Sequence, residues 1–454
     1  MSILITNGTI ITEKGLLLGN LFIDDGKISA IGVTPQSADK IINATGKLVI
    51  PGGIDVHTHL NLRVGSLTTS DDFYSGTRAA AFGGTTTIID FAQQEKRKSL
   101  RDALEKRLEE AKKSVIDYGL HMIIVDMPEN QLNEIDEMLN KGVTTFKLFT
   151  AYPDRLMVDD ETILRVLKRT AQLGGLVIVH AEDNSMIGET VKQLLSDGKK
   201  EPKYHAFSRA SASEAKAVKR VIDLAKKADS SVYFVHISCS ESIKVIHQAQ
   251  TEGQEVHAET CPQYLFTSLE DLGKDQISDL KYIFTPPPRD KSNHDELWRA
   301  LSDNTLQVVS TDHCPFNLTT KKEMAEKNFT AIPNGAPGIE NRLELLYHFG
   351  VKQNRISVQR WVEICSTNPA RIFGLYPQKG TIAVGSDADI VIWNPDEKHT
   401  ISAKTHHMNV DHNLYEGWEI QGKAETVISR GEIIIENNEF KGKVGRGNFL
   451  TRKK

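Results

Sequence analysis

Residues 51–59 read Pro51-Gly52-Gly53-Ile54-Asp55-Val56-His57-Thr58-His59. Pro51-Gly52-Gly53 interrupts the pattern upstream, and the apolar run behind it ends in two histidines. From Ile54 onward, apolar runs alternate with segments of helical periodicity, the pattern of a parallel sheet wrapped by helices. Eight strands are read: Ile54 to His59, Thr85 to Phe91, Leu120 to Val125, Thr144 to Phe149, Leu176 to His180, Val232 to His236, Glu255 to Thr260 and Leu306 to Thr311. Between them fall helices such as Ser99 to Val115, where Ser99 and Asp102 suit a capping box and Leu100, Leu104, Leu108, Ala111 and Val115 share a face. Eight strands in alternation fit a TIM (β/α)8 barrel better than an open sheet. The span 51–375 also lies within the roughly 200 to 400 residues that such barrels occupy.

Both flanks are β-rich. Residues 1–50 carry Ile3-Leu4-Ile5, Gly8 to Thr12, Leu21 to Ile28 and Lys47 to Ile50, separated by Asn-Gly and Asp-Gly turns. Residues 376–454 carry Gly380 to Gly385, Asp389 to Trp393 and Thr426 to Ile435. The economical reading is an α/β chain with a TIM barrel at 51–375 and a smaller β-sandwich domain built from both termini. The basic, glycine-rich stretch from Lys441 to Leu450 is expected to be mobile alone or ordered by a partner subunit.

The 454 residues carry 55 Lys plus Arg and 60 Asp plus Glu, a formal charge of −5, with 39% hydrophobic residues. That is an ordinary globular composition able to bury a large core. Mild acidity argues against nucleic acid or anionic membrane as partner, since both require a basic surface. No apolar run reaches the ~18 residues of a membrane span. The first eight residues lack the basic start and apolar core of a signal peptide, so a cytoplasmic location is expected. Cys239, Cys261, Cys314 and Cys365 lie far apart with no Cys-x-x-Cys pair, which speaks against a disulfide framework or a thiolate zinc site. The fifteen histidines are more informative, because several end apolar strands.

Barrels place chemistry at the C-terminal ends of their strands. There stand His57 and His59, Lys147, His180, His236 and Asp312. Two residues apart on a strand, His57 and His59 share a face. A lone His-x-His is equally served by bonds to backbone carbonyls. Joined by further histidines and a carboxylate, it becomes a nitrogen and oxygen set suited to zinc or a similar divalent ion. Lys147 puts an ammonium into an apolar strand. Burial favours the neutral amine, which can add carbon dioxide to give an anionic, two-oxygen carbamate able to bridge two cations. The alternative is a lysine paired with a carboxylate or reaching solvent.

Pro51 to His59, Ala80-Ala81-Phe82-Gly83-Gly84-Thr85-Thr86, Phe146-Lys147-Leu148-Phe149-Thr150-Ala151-Tyr152, Val179-His180-Ala181-Glu182, Val235-His236-Ile237-Ser238, Thr311-Asp312-His313-Cys314-Pro315-Phe316 and Ile332-Pro333-Asn334-Gly335 stand in a characteristic order and spacing. In these motifs the chain resembles the cyclic amidohydrolases, closest to the dihydropyrimidinases and bacterial D-hydantoinases, over almost its whole length.

The resemblance implies two divalent metal ions per subunit, usually zinc. His57, His59 and Asp312 would hold one and His180 and His236 the other, with carboxylated Lys147 (N6-carboxylysine) and a hydroxide between them. It implies Tyr152 as hydroxyl donor to the developing oxyanion, and Thr285 and Asn334 as backbone partners of the ring amides. Turn chemistry alone would also explain Thr285 and Asn334. With Asp312 as general base and then acid, the reaction is hydrolysis of a cyclic amide bond in 5,6-dihydropyrimidines and hydantoins, giving N-carbamoyl β- or α-amino acids. The partner is then a small cyclic amide, and the family suggests a homo-oligomer, tetramer or dimer. Alternatives are an allantoinase or another cyclic-ureide hydrolase, and a non-catalytic scaffold of the same fold, which the survival of all six ligand positions disfavours.

The chain departs from the family after His59. It reads Leu60-Asn61-Leu62-Arg63-Val64-Gly65-Ser66-Leu67, where D-hydantoinases typically carry Asp-Met-Pro-Phe-Gly-Gly. Asn61 stands where dihydroorotases usually place an arginine. Arg63 is a candidate for meeting an acidic substituent at ring position 5, the bland alternative being a solvated loop arginine. Pro153 replaces a lysine common in relatives. His313 and Asp90 are read as supporting or packing residues, His121 and His257 as core, and His205 is given no role.

Overall fold

The computed structural model describes residues 2–35 and 37–453. Eight strands form one parallel sheet: β1 Gly53–Thr58, β2 Thr85–Gln93, β3 Asp117–Ile123, β4 Thr145–Phe149, β5 Leu176–His180, β6 Val232–Phe234, β7 Val256–Thr260 and β8 Val308–Val309. Each pairs with its neighbour in chain order. Closure into a barrel falls between β1 and the segment after β8, where Thr58 bridges His313 in parallel register. The seam is stitched by side chains. Asp55 accepts from Thr311 N at 3.1 Å and Thr311 Oγ1 at 2.6 Å, while Arg342 Nη1 donates to Ile54 O and Val309 O.

Alternation along the strands decides what faces the lumen. Phe146 and Leu148 of β4, and Val177 and Val179 of β5, pack outward against the helices. Phe149 of β4, with Leu176 and Ile178 of β5, joins Ile54, Ile89, Phe91, Ile123 and Tyr233 inside. Lys147 and His180 share that inner parity. Phe373, Leu375 and Leu450 pack on the same inner cluster. The helix expected from Ser99 runs Leu100–Ala111, with the Ser99 side chain accepting from Asp102 N; the reciprocal half of the box is not formed.

The chain ends build a nine-stranded sheet that joins strands of both termini. The strand Ile3–Thr12 pairs with Lys40–Asn43 along its first half and Leu48–Pro51 along its second. Leu48–Pro51 then pairs antiparallel with Ile390–Thr400 from the other terminus. Ile3, Ile5, Ile10, Leu21, Ile23, Val49, Ile390, Ile392 and Ile428 fill its core. Trp393 of this sheet meets Trp361 of the helical layer edge-on at 5.0 Å, a contact worth about 1 kcal/mol beyond its buried area.

Two expectations fail. Gly380 to Gly385 is no strand, because Gly380 and Gly385 turn the chain at φ 78° and 92°. The C-terminal stretch is neither free nor reserved for a partner: Gly447 N bonds Ser114 O, Asn448 O accepts from Tyr118 N, and Leu450 N bonds Tyr118 O. Backbone donors and acceptors left open on the first residues of β3 give the tail its binding partner within its own chain.

Candidate metal and active site

All six expected ligands meet at the C-terminal end of the barrel. His57 Nε2 and His59 Nε2 each lie 3.2 Å from Asp312 Oδ1, and Lys147 Nζ lies 2.9 Å from His57 Nε2. His180 Nδ1 faces His236 Nε2 at 2.9 Å, and the His236 ring stacks on His57 with centroids 5.4 Å apart. His236 and Asp312 stand just past their strands with φ of 42° and 50°. Left-handed backbone is uncommon for such residues and marks places where the surroundings impose the conformation.

Carboxylates behind the ring orient two of the imidazoles. Glu259 Oε1 accepts from His57 Nδ1 at 2.6 Å, and Glu182 Oε2 accepts from His180 Nε2 at 2.9 Å. With those nitrogens protonated, His57 Nε2 and His180 Nδ1 turn lone pairs toward the centre. Asp90 works on the backbone instead. Its Oδ2 accepts from Thr58 Oγ1 and Leu60 N, the residues flanking His59, and Arg107 pairs with its other oxygen.

Electrostatics favour cation binding. Burial holds His57 and His236 neutral, far below the usual histidine range, with Lys147 and neighbouring histidines adding to the effect. Burial likewise draws Lys147 down to about 8, against the pull of Asp312 and Glu259. Burial pushes Asp312 upward, but His57, His59 and Lys147 outweigh it and leave the carboxyl at about 2. His57 Nε2 pairs with Lys147 Nζ and His180 Nδ1 with His236 Nε2 at 2.9 Å, and an anionic carboxylate stands beside them. Such a set of nitrogen and oxygen donors suits divalent cations. One ligand atom each from His57, His236 and Asp312 already lies within 4.8 Å of the others. Lys147 makes neither the carboxylate pair nor the solvent contact of its bland alternative; it sits over Phe91 at 4.3 Å and Phe149 at 5.1 Å.

A cavity of about 510 Å³ opens above these groups, and Tyr152, Thr285 and Asn334 stand together in its lining. The Tyr152 ring lies 5.3 Å from His180. Burial raises the phenol above its usual value, opposed by Arg209 and by hydrogen bonds with the Thr285 and Asn334 side chains. His205, given no role from sequence, lines the cavity, bonds Phe284 O at 3.0 Å and touches Thr285 Oγ1 at 3.3 Å. Glu182, Glu259, Arg209 and His205 are the site residues that the sequence reading missed. A carboxylate two residues after His180 and another within an apolar strand were the available signals.

Several other expectations resolve. His313 bonds Asp71 and Gly338 N and is a packing residue. His121 is core, bonded to Val56 O. His257 is not core, since it points outward beside Glu255. Leu62 and residues 64–67 line the cavity, but Arg63 does not. Arg63 borders a separate cleft with Glu95, Lys106 and Glu110, whereas Leu62 reaches both that cleft and the cavity. Two arginines line the cavity, the buried Arg209 and the exposed Arg155.

Comparison with known proteins agrees with this geometry. Residues 48–434 match the Amidohydrolase family model. A D-hydantoinase of Streptomyces coelicolor is 45% identical over 99% of this chain and 97% of its own length. The crystal structure of dihydropyrimidinase from Brevibacillus agri superposes with a TM-score of 0.98 at 44% identity, covering 100% of this chain and 99% of that one. An L-hydantoinase (dihydropyrimidinase) from Arthrobacter aurescens gives 0.90 at 29% identity, with 99% of each chain covered. The chain belongs to the amidohydrolase family.

Proposed function

We propose that the protein hydrolyses the cyclic amide bond of 5,6-dihydropyrimidines and hydantoins, releasing N-carbamoyl β- or α-amino acids. The observation that carries this is the convergence of His57, His59, Lys147, His180, His236 and Asp312 beneath one cavity edged by Tyr152, Thr285 and Asn334. His57, His59 and Asp312 would hold one divalent ion, His180 and His236 a second, and Lys147 as its carbamate would serve both; zinc suits the donors. When bound, such ions acidify water and polarise a carbonyl.

The chain's own groups do the rest. Asp312 takes a proton from the attacking water on its carboxylate and returns it to the ring nitrogen as the carbon–nitrogen bond breaks. Tyr152, kept protonated by burial, donates its hydroxyl to the carbonyl oxygen as negative charge develops there. Main-chain groups at Thr285 and Asn334 hold the ring amides and fix which carbonyl faces the nucleophile.

No helix among the described residues is long and apolar enough to cross a membrane. As such an enzyme the protein would work in the cytoplasm as a homo-oligomer, which light scattering on the purified protein would size. Metal analysis is expected to find about two divalent ions per chain. A panel of dihydrouracil, hydantoin, 5-substituted hydantoins, allantoin and dihydroorotate is expected to show turnover of the first three classes. Preferential turnover of allantoin, or full activity without metal, would overturn the assignment.

A further inference from the structure

Lys321 is fully buried, yet its ammonium lies outside the cavity. It projects from the helix Leu318–Ala325. Its three hydrogen-bond acceptors are all main-chain carbonyls: Leu280 O and Ile283 O at 3.1 Å and Gly335 O at 2.7 Å. These come from two segments distant in sequence. Leu280 and Ile283 lead into Thr285, and Gly335 follows Asn334 directly. Gly335 N closes the junction by donating to Ile283 O at 2.9 Å. The backbone at Gly335 is held at φ 147°, and a Cβ there would fall 2.0 Å from Cys314 O, so only glycine fits this close approach. Around the ammonium, Leu280, Ile283, Phe329 and Ile332 form an apolar cluster.

Three carbonyl oxygens converging in an apolar surround repel one another unless a multiple donor stands between them. An ammonium provides three N–H groups, and all three are used. We infer that Lys321 is a positioning residue: it clamps the segments bearing Thr285 and Asn334 together and so sets the spacing of the edge that receives the substrate ring. The inference rests on the proposal that Thr285 and Asn334 hold that ring. Lys321 acts through them and touches neither the substrate nor the metal ligands.

The test uses the full-length, metal-loaded enzyme with hydantoin or dihydrouracil, whichever is turned over faster. Lys321→Met keeps the apolar stem and removes every donor. Its KM is expected to rise about tenfold, with kcat within about threefold of wild type, because ring binding and not proton transfer loses its template. Metal content is expected to stay at the wild-type level. In Lys321→Ala, added ethylammonium is expected to restore part of the lost KM. Should Lys321→Met fail to fold, Lys321→Gln, which keeps two donors at shorter reach, carries the same comparison. A KM within about twofold of wild type, or a loss confined to kcat and metal content, overturns the inference. Crystals of the wild-type holoenzyme with 5,5-dimethylhydantoin separate the two levels. A ring seated away from Thr285 and Asn334 removes the reading beneath the inference. A ring seated on them, with KM unchanged in the variant, removes the inference alone.

Discussion

Glu259 Oε1 lies 2.6 Å from His57 Nδ1, and both side chains are wholly shielded from water. The carboxylate is itself fixed, since Tyr233 donates its hydroxyl to Glu259 Oε2 at 2.8 Å. Burial raises Glu259 to about 7, opposed by the Tyr233 hydrogen bond. The pair holds one tautomer of His57, with Nε2 bare toward Asp312 and Lys147. Glu259→Gln keeps the shape but removes the anionic acceptor. Metal affinity, measured by competition with a chelator, is expected to fall about 10- to 100-fold. An unchanged affinity would show that the acceptor on His57 Nδ1 need not be anionic.

Lys147 is the only ammonium among groups that otherwise offer lone pairs, and burial brings it to about 8. A meaningful fraction of free amine is then present near neutral pH, ready to add carbon dioxide. Lys147→Ala is expected to lose activity and bound metal together. Partial recovery with formate, acetate or propionate would show that a carboxylate in that space is what the centre requires. A fully active, fully loaded Lys147→Ala enzyme would contradict the carbamate.

Much of this centre was legible in the sequence, for a physical reason. Strand parity and strand termini are local properties, so His57, His59, Lys147, His180, His236 and Asp312 could be placed without knowing any long-range contact. Glu259 and Glu182 were not legible in the same way. Glu259 meets His57 across 202 positions, and its place in the strand Val256–Thr260 marks a candidate without naming a partner so far away. Glu182 was quoted within a motif, but its pairing with Arg209 depends on how a helical loop folds back. The loop after His59 misled for a related reason. Whether Leu62 or Arg63 faces the cavity is set by the two-stranded turn pairing Arg63 with Thr68, and no periodicity in so short a segment fixes it.

The expectation of a substrate charge preference accordingly moves from Arg63 to Arg155. Arg155 is the exposed arginine of the cavity, and among the described residues Asp312 is the only carboxylate of that lining. Its exposed guanidinium is screened by solvent and salt, so the effect is modest. Arg155→Leu is expected to lower the kcat/KM ratio of 5-carboxyethylhydantoin over 5-propylhydantoin by about threefold at low ionic strength, and less in salt. Arg63→Ala should leave that ratio where it was. The reverse pattern would return the role to Arg63.

Stability of the two-part chain depends on a charge cluster far from the metal centre. Lys379 Nζ reaches Asp117 Oδ2 at 2.6 Å, Asp387 Oδ2 at 2.9 Å and Asp389 Oδ2 at 2.8 Å, all of them buried. Asp117 opens β3 of the barrel, whereas Asp387 and Asp389 precede the accessory strand Ile390–Thr400, so the ammonium ties the two parts together. Burial opposes the charge on Lys379, but the three aspartates prevail and hold it above its ordinary value. Because the folded value is the higher one, this stabilisation is complete below the unfolded pKa of 10.5 and is lost only as pH rises through the folded one. Lys379→Met leaves three carboxylates, with Arg430 as the remaining cation on Asp117 and Lys27 as that on Asp387. The expected cost near pH 8 is about 3–5 kcal/mol. It should shrink toward about pH 5, since burial already holds Asp389 above its usual value, and without Lys379 it takes up a proton before the unfolded chain does. Chemical denaturation of wild type and variant at both pH values measures this directly, with KM expected to stay unchanged because the cluster joins the first residues of β3 to the accessory sheet. A penalty that is absent, or that grows as pH falls, would mean that the aspartates are held by their backbone and side-chain partners without need of Lys379.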